Sequence, residues 1–129
     1  MFLSELDNNQ KEAFTCLAHV VVVSDGELGP GEQLMMDELK REIGLSSEFE
    51  PHYMPIDGVG EIFNTRNARV ATIIALIRLD YADGTFEIEE QFLLKKIYET
   101  FEVTESDLTI IENWVRRLIA LEKEARAFM

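Results

Sequence analysis

Ser24-Asp25-Gly26-Glu27-Leu28-Gly29-Pro30-Gly31-Glu32-Gln33 recurs 58 residues later, without a gap, as Ala82-Asp83-Gly84-Thr85-Phe86-Glu87-Ile88-Glu89-Glu90-Gln91. Asp25, Gly26, Glu32 and Gln33 map onto Asp83, Gly84, Glu90 and Gln91, and three apolar residues follow the glutamine in each copy. The match continues more softly through Leu39 and Ile97, Ile43 and Phe101, Leu45 and Val103, Ser46 and Thr104. Two copies are too few for a solenoid. They predict two equivalent helix–turn–helix units packed about a pseudo-twofold axis in one domain, with repeat one over about 9–45 and repeat two over about 67–103.

Working outward from the repeat, almost every segment reads as helix. Asn9 to Ser24 places Phe14, Leu17, Ala18, Val21 and Val22 on one face. The run Val20 to Val23 is ambiguous, because β-branched residues favour strands and Asp25-Gly26 can close a hairpin. Its repeat image settles the reading. Asn67 to Ala82 carries Val70, Ile73, Ile74, Ala75, Leu76, Ile77 and Leu79 without alternation, which fits a buried helix. Pro30 suits the first position of the next helix, which ends at Gly44; its counterpart spans about Ile88 to Phe101. Thr104 with Asp107 opens a last helix, over about 104–127, with Leu108, Ile111, Trp114, Val115, Leu118 and Leu121 at helical spacing. Residues 46–65, punctuated by Pro51, Pro55, Gly58 and Gly60, read as an irregular connector with one short helix near Glu61 to Phe63. His52, Tyr53 and Met54 lie in it and read as a loop over the core.

The chain of 129 residues has the length of one domain, and 47% hydrophobic residues suffice for a core. Its 25 acidic against 12 basic residues give a net charge of −13. That excludes a duplex nucleic-acid binder, which needs a basic face, and disfavours unaided binding to anionic membrane. It suits cationic or basic partners. The single cysteine, Cys16, excludes an internal disulfide and fits a reducing compartment. Glu5 and Asp7 come too early for a signal peptide. No apolar run approaches the about 20 residues of a membrane helix. A cytoplasmic protein is expected.

Chemistry centres on carboxylates. Asp25 and Asp83 each fall where a helix ends, and Glu32 and Glu90 each fall in the first turn of the next. A first-turn glutamate caps free N–H groups and is favoured by the helix dipole. An aspartate at a helix C-terminus is disfavoured by that dipole, unless it only makes the Asp-Gly turn. The other reading is a hard cation that neutralises these side chains. Asp80, one turn before Asp83, is a fifth oxygen source, although its repeat image is Val22. Oxygen-only ligands indicate Ca²⁺, Mg²⁺ or Mn²⁺ rather than zinc. The spacing is not that of an EF-hand. Both readings, metal binding and capping with turn formation, stay open at this point.

Catalytic patterns are weak. His19 reads as a core or groove histidine, Cys16 and the Met35-Met36 pair as packing. No nucleophile elbow, P-loop or dinucleotide fingerprint occurs. Arg66, Arg69 and Arg78, spread along one helix, either meet the acidic excess internally or form a small positive patch.

At these residues the sequence resembles the tellurite-resistance TerB family. The resemblance runs from Phe2-Leu3-Ser4-Glu5-Leu6 through Gln10-Lys11-Glu12-Ala13-Phe14 and Leu17-Ala18-His19. It continues in Ser24-Asp25-Gly26-Glu27 and in Ala82-Asp83-Gly84 with Glu89-Glu90, and fades over 46–65. It implies an all-α, cytoplasmic, bacterial bundle of about seven helices, associated with stress resistance, acidic metal sites and membrane-linked partner proteins. The family's acidic positions fall on Asp25, Glu32, Asp83 and Glu90. Gly31 and Thr85 replace two further acidic residues of the pattern and thin the ligand set. The expected function is therefore a non-catalytic stress-response module that holds a divalent cation and docks to partner proteins. A metal-free scaffold is the alternative. A metal-dependent phosphate-ester hydrolase is less favoured, since no general acid or phosphate cradle accompanies the carboxylates.

Overall fold

The computed structural model describes residues 2–24, 29–45, 49–82 and 88–129. Among them are six α-helices, two short 3-10 turns and no strand. The helices are α1 (Asn8–Val22), α2 (Pro30–Ile43), α3 (Val59–Ile62), α4 (Arg66–Tyr81), α5 (Ile88–Thr100) and α6 (Glu105–Ala127). The 3-10 turns are Leu3–Glu5 and Ile56–Gly58. The valines of Val20 to Val23 thus lie in and just after a helix, and the fold is all-α. About seven helices are expected from the resemblance; six are described.

α1, α4 and α6 begin where a side chain satisfies their first N–H groups. The Asp7 carboxylate accepts from the Gln10 amide at 2.8 Å and Gln10 Oε1 accepts from the Asp7 N–H at 3.1 Å, a reciprocal cap that opens α1. Thr65 and Thr104 cap α4 and α6 in one direction only, accepting from the Ala68 and Asp107 N–H groups at 3.1 Å each. Pro30 occupies the first position of α2, as its fixed φ favours. That helix stops at Gly44, whose φ of 72° is the left-handed conformation only glycine adopts freely.

α4 forms the axis. It is buried without interruption from Ala71 to Asp80 and packs against α1, α2, α5, α6 and the N-terminal 3-10 turn. A helix apolar on every side belongs inside, and this is why its sequence shows no amphipathic period. α1 contributes Phe14, Leu17, Ala18, Val21 and Val22, all buried as the spacing predicts. Only Val115 of α6 is fully buried, while Leu108, Ile111, Trp114 and Ile119 pack partly against the core. Leu121, expected on the inner stripe, is instead 59% exposed. Its place on the bundle is taken by Ile119.

The connector folds back as a structural clamp. Val59 and Phe63 are fully buried, and the Phe63 ring meets Phe101 edge-on at 5.5 Å. Arg69 donates from its guanidinium to the carbonyls of Phe63 (2.6 Å), Gly60 (2.6 Å) and Phe101 (3.1 Å). Gly60 is needed there: a Cβ would stand 2.7 Å from the Thr100 carbonyl oxygen. No helix among the described residues is long and apolar enough to cross a membrane.

Candidate carboxylate site

Glu32 stands in the first turn of α2, Glu90 in the first turn of α5, and Asp80 in the last turn of α4. All three are buried, at 6%, 3% and 2% exposed. Charged side chains this deep are rare unless paired. Helix packing brings them together. Burial pushes the Asp80 carboxyl up to about 6, the nearby negative charges of Glu32 and Glu112 push in the same direction, and a shared hydrogen bond with Glu90 opposes them. Asp80 of α4 thus shares a hydrogen bond with Glu90 of α5 and feels the charges of Glu32 of α2 and Glu112 of α6.

Neither oxygen of Asp80 receives a hydrogen bond from an ordinary donor. The Glu90 carboxyl lies close enough to share a proton with it. Glu90 donates only while it holds that proton, so when both groups are ionised the pair repels. Glu32 has a structural role beside this: its Oε1 accepts from the Gly29 N–H at 3.3 Å. The capping expected of a first-turn glutamate is thus present at Glu32.

Of the five expected ligands, Glu32, Asp80 and Glu90 are placed by the structure, and Asp25 and Asp83 lie outside the described residues. Glu112 joins the cluster without having been singled out in the sequence. It falls on the inward stripe of Leu108, Val115 and Ile119, which alone does not mark an acid as part of a cluster. Beside it, Tyr98 is pushed up in pKa by burial first, then by Glu112, Asp80 and Tyr81, so its phenol stays protonated. Tyr98, Tyr81, Glu112 and Arg116 line a groove of about 500 Å³ between α5 and α6.

Most of the remaining candidates have structural places. Cys16 is buried, and the His52 N–H points at its sulfur at 3.5 Å. His19, expected in the core or a groove, is exposed: it falls on the outer face of α1, opposite Phe14 and Leu17. Met36 is buried and Met35 packs beside it. Arg66 pairs with Asp107 at 2.9 Å on the surface, Arg69 belongs to the clamp, and Arg78 is buried.

A divalent ion is tested against these facts in two ways. The donor chemistry suits a hard cation, since Asp80 offers two buried oxygens in an acidic surrounding. Against that, no group of three or more His, Cys, Asp or Glu side chains among the described residues is arranged to hold a metal. Glu32, Asp80 and Glu90 alone do not form a coordination shell. Compared with known proteins, the chain matches no protein-family model, no curated protein and no solved structure.

Proposed function

We propose that the chain is a non-catalytic helical module of the TerB type. It holds a divalent cation, Ca²⁺, Mg²⁺ or Mn²⁺, through Asp25, Glu32, Asp83, Glu90 and Asp80. It acts in the cytoplasm by docking to other proteins of a stress response, membrane-associated ones included. The observation that carries the reading is Asp80: a carboxyl 2% exposed, without an ordinary donor, amid three other acids. A carboxylate buried in such a place is costly, and a cation relieves its cost.

The pseudo-symmetric construction is part of the same proposal. It draws support from burial that follows the 58-residue offset: Glu32 and Glu90, Met36 and Leu94, Leu39 and Ile97, Ile43 and Phe101 are all buried, and Leu34 and Phe92 are both exposed. The same holds for Phe14 and Thr72, Leu17 and Ala75, Val21 and Leu79, Val22 and Asp80, which are all buried.

Isothermal calorimetry of the chelator-stripped protein against the three ions tests the reading. It expects saturable one-site heat for at least one ion. A second reading, a metal-free interaction domain, rests on the Glu32 cap and on the absence of a three-ligand group among the described residues. It expects no specific heat from any ion.

A further inference from the structure

Arg78 is buried in a way the fold does not explain. Its side chain is 8% exposed. Nη2 reaches the two carboxylate oxygens of Glu122 at 3.4 and 3.5 Å, long against the ~2.8 Å of a charge-assisted pair. Its Nε–H has no acceptor. A buried guanidinium N–H without a partner is costly, because water's hydrogen bond has been given up for nothing.

That side chain forms part of the wall of a cavity of about 430 Å³, bounded by Met35 of α2, the end of α4 and the C-terminal half of α6. Lys123 and Arg126 line the same cavity, and Glu122 is the only acid among its described lining residues. Three of the chain's 12 basic residues therefore face one hollow, in a molecule of net charge −13. Three cations and one carboxylate leave the described lining with a charge of +2.

We propose that this cavity binds a phosphate dianion, free or as a small phosphate monoester. The guanidinium edge formed by Nε–H and Nη–H is a fork that matches two oxygens of a tetrahedral oxyanion once the side chain turns that edge, closed to solvent in this arrangement, toward the hollow. Lys123 and Arg126, both exposed at the rim, add point charges to the remaining oxygens. With three cations against one displaceable carboxylate, the described lining suits a doubly charged anion better than a singly charged one. Glu122 is 41% exposed and weakly held, so it can turn outward when the anion enters. The cavity is larger than a bare phosphate, and Met35, Ala82 and Ile119 give it an apolar wall suited to an organic ester.

The test follows the Arg78 Nε–H signal by ¹H–¹⁵N spectroscopy of the full chain, in EDTA and about 150 mM salt, which screens weak surface attraction. Inorganic phosphate, glycerol phosphate and acetate are titrated separately. Saturable movement of that signal by phosphate, at least about tenfold tighter than by acetate, is the expected result. Tighter binding of glycerol phosphate than of inorganic phosphate assigns a monoester as occupant; equal or weaker binding assigns free phosphate. Arg78→Gln should abolish binding, and Arg78→Lys, which keeps the charge and loses the fork, should weaken it about tenfold. Lys123→Gln with Arg126→Gln changes only exposed side chains, so it keeps the fold testable should Arg78→Gln not fold. It too should weaken phosphate about tenfold at an unchanged melting temperature. No saturable shift in the tens of millimolar, acetate binding as tight as phosphate, or a rim double variant that binds like the wild type overturns the proposal.

Discussion

A carboxyl whose oxygens are buried without donors keeps its proton to higher pH than the same group in water, and Asp80 is such a group. Unfolded, it titrates near 3.8; folded, near 6. Between those values the folded state binds more protons, so this group's contribution to stability rises as pH falls through 6 and is complete below about 4. At pH 7.5 it costs up to about 3 kcal/mol in the metal-free protein. Asp80→Asn should therefore raise the melting temperature in EDTA at pH 7.5, and the gain should vanish near pH 4. A gain that is independent of pH would contradict the assignment. Gly60 makes a different prediction at the same scale. Gly60→Ala forces a Cβ against the Thr100 carbonyl and should cost about 1–3 kcal/mol in urea unfolding. Gly58→Ala, with open space around its Cβ, should stay within about 0.5 kcal/mol of the wild type.

Helix ends were the most legible elements of this chain. Pro30, Gly44 and the Thr104–Asp107 pair mark boundaries that the structure places within a residue or two, because caps are local chemistry that neighbours in sequence supply. Thr104→Ala removes the bond accepted from the Asp107 N–H and should cost about 1 kcal/mol, read as a lower urea midpoint at unchanged m-value. The connector was less legible. Val59 and Phe63 reach the core, and Arg69 ties the segment to α5, through pairings that span up to 32 residues. Proline and glycine content gives no sign of contacts that arise only once α4 and α5 have packed. For the site, the burial of Glu32 and Glu90 in equivalent turns could be expected from the repeat. The role of Glu112 could not, since a lone acid on an inward stripe looks like any surface glutamate until a facing helix covers it. His19 failed for the opposite reason: its neighbours are apolar, but its own angular position on α1 points outward.

At the scale of the molecule, the bundle sets Asp80 within the field of three acids from three other helices and three cations around a separate cavity. Charges sorted this way cost stability unless something neutralises them. The central claim is that a divalent ion does so at the carboxylates. Because the ion binds the folded state only, it should add RT ln(1 + [L]/Kd), about 2.7 kcal/mol at a hundredfold excess. Glu32→Gln with Glu90→Gln is the control for capping. It costs a few tenths to about 1 kcal/mol with or without ions if dipole and cap are their only role. The most direct measurement is the melting temperature of the wild type and of Asp25→Asn with Asp83→Asn, in EDTA and in millimolar Ca²⁺, Mg²⁺ or Mn²⁺. The wild type should melt higher with at least one ion. The double variant should lose that rise and match or exceed the wild type in EDTA, its repulsion relieved. A wild-type melting temperature unmoved by every ion would contradict the claim.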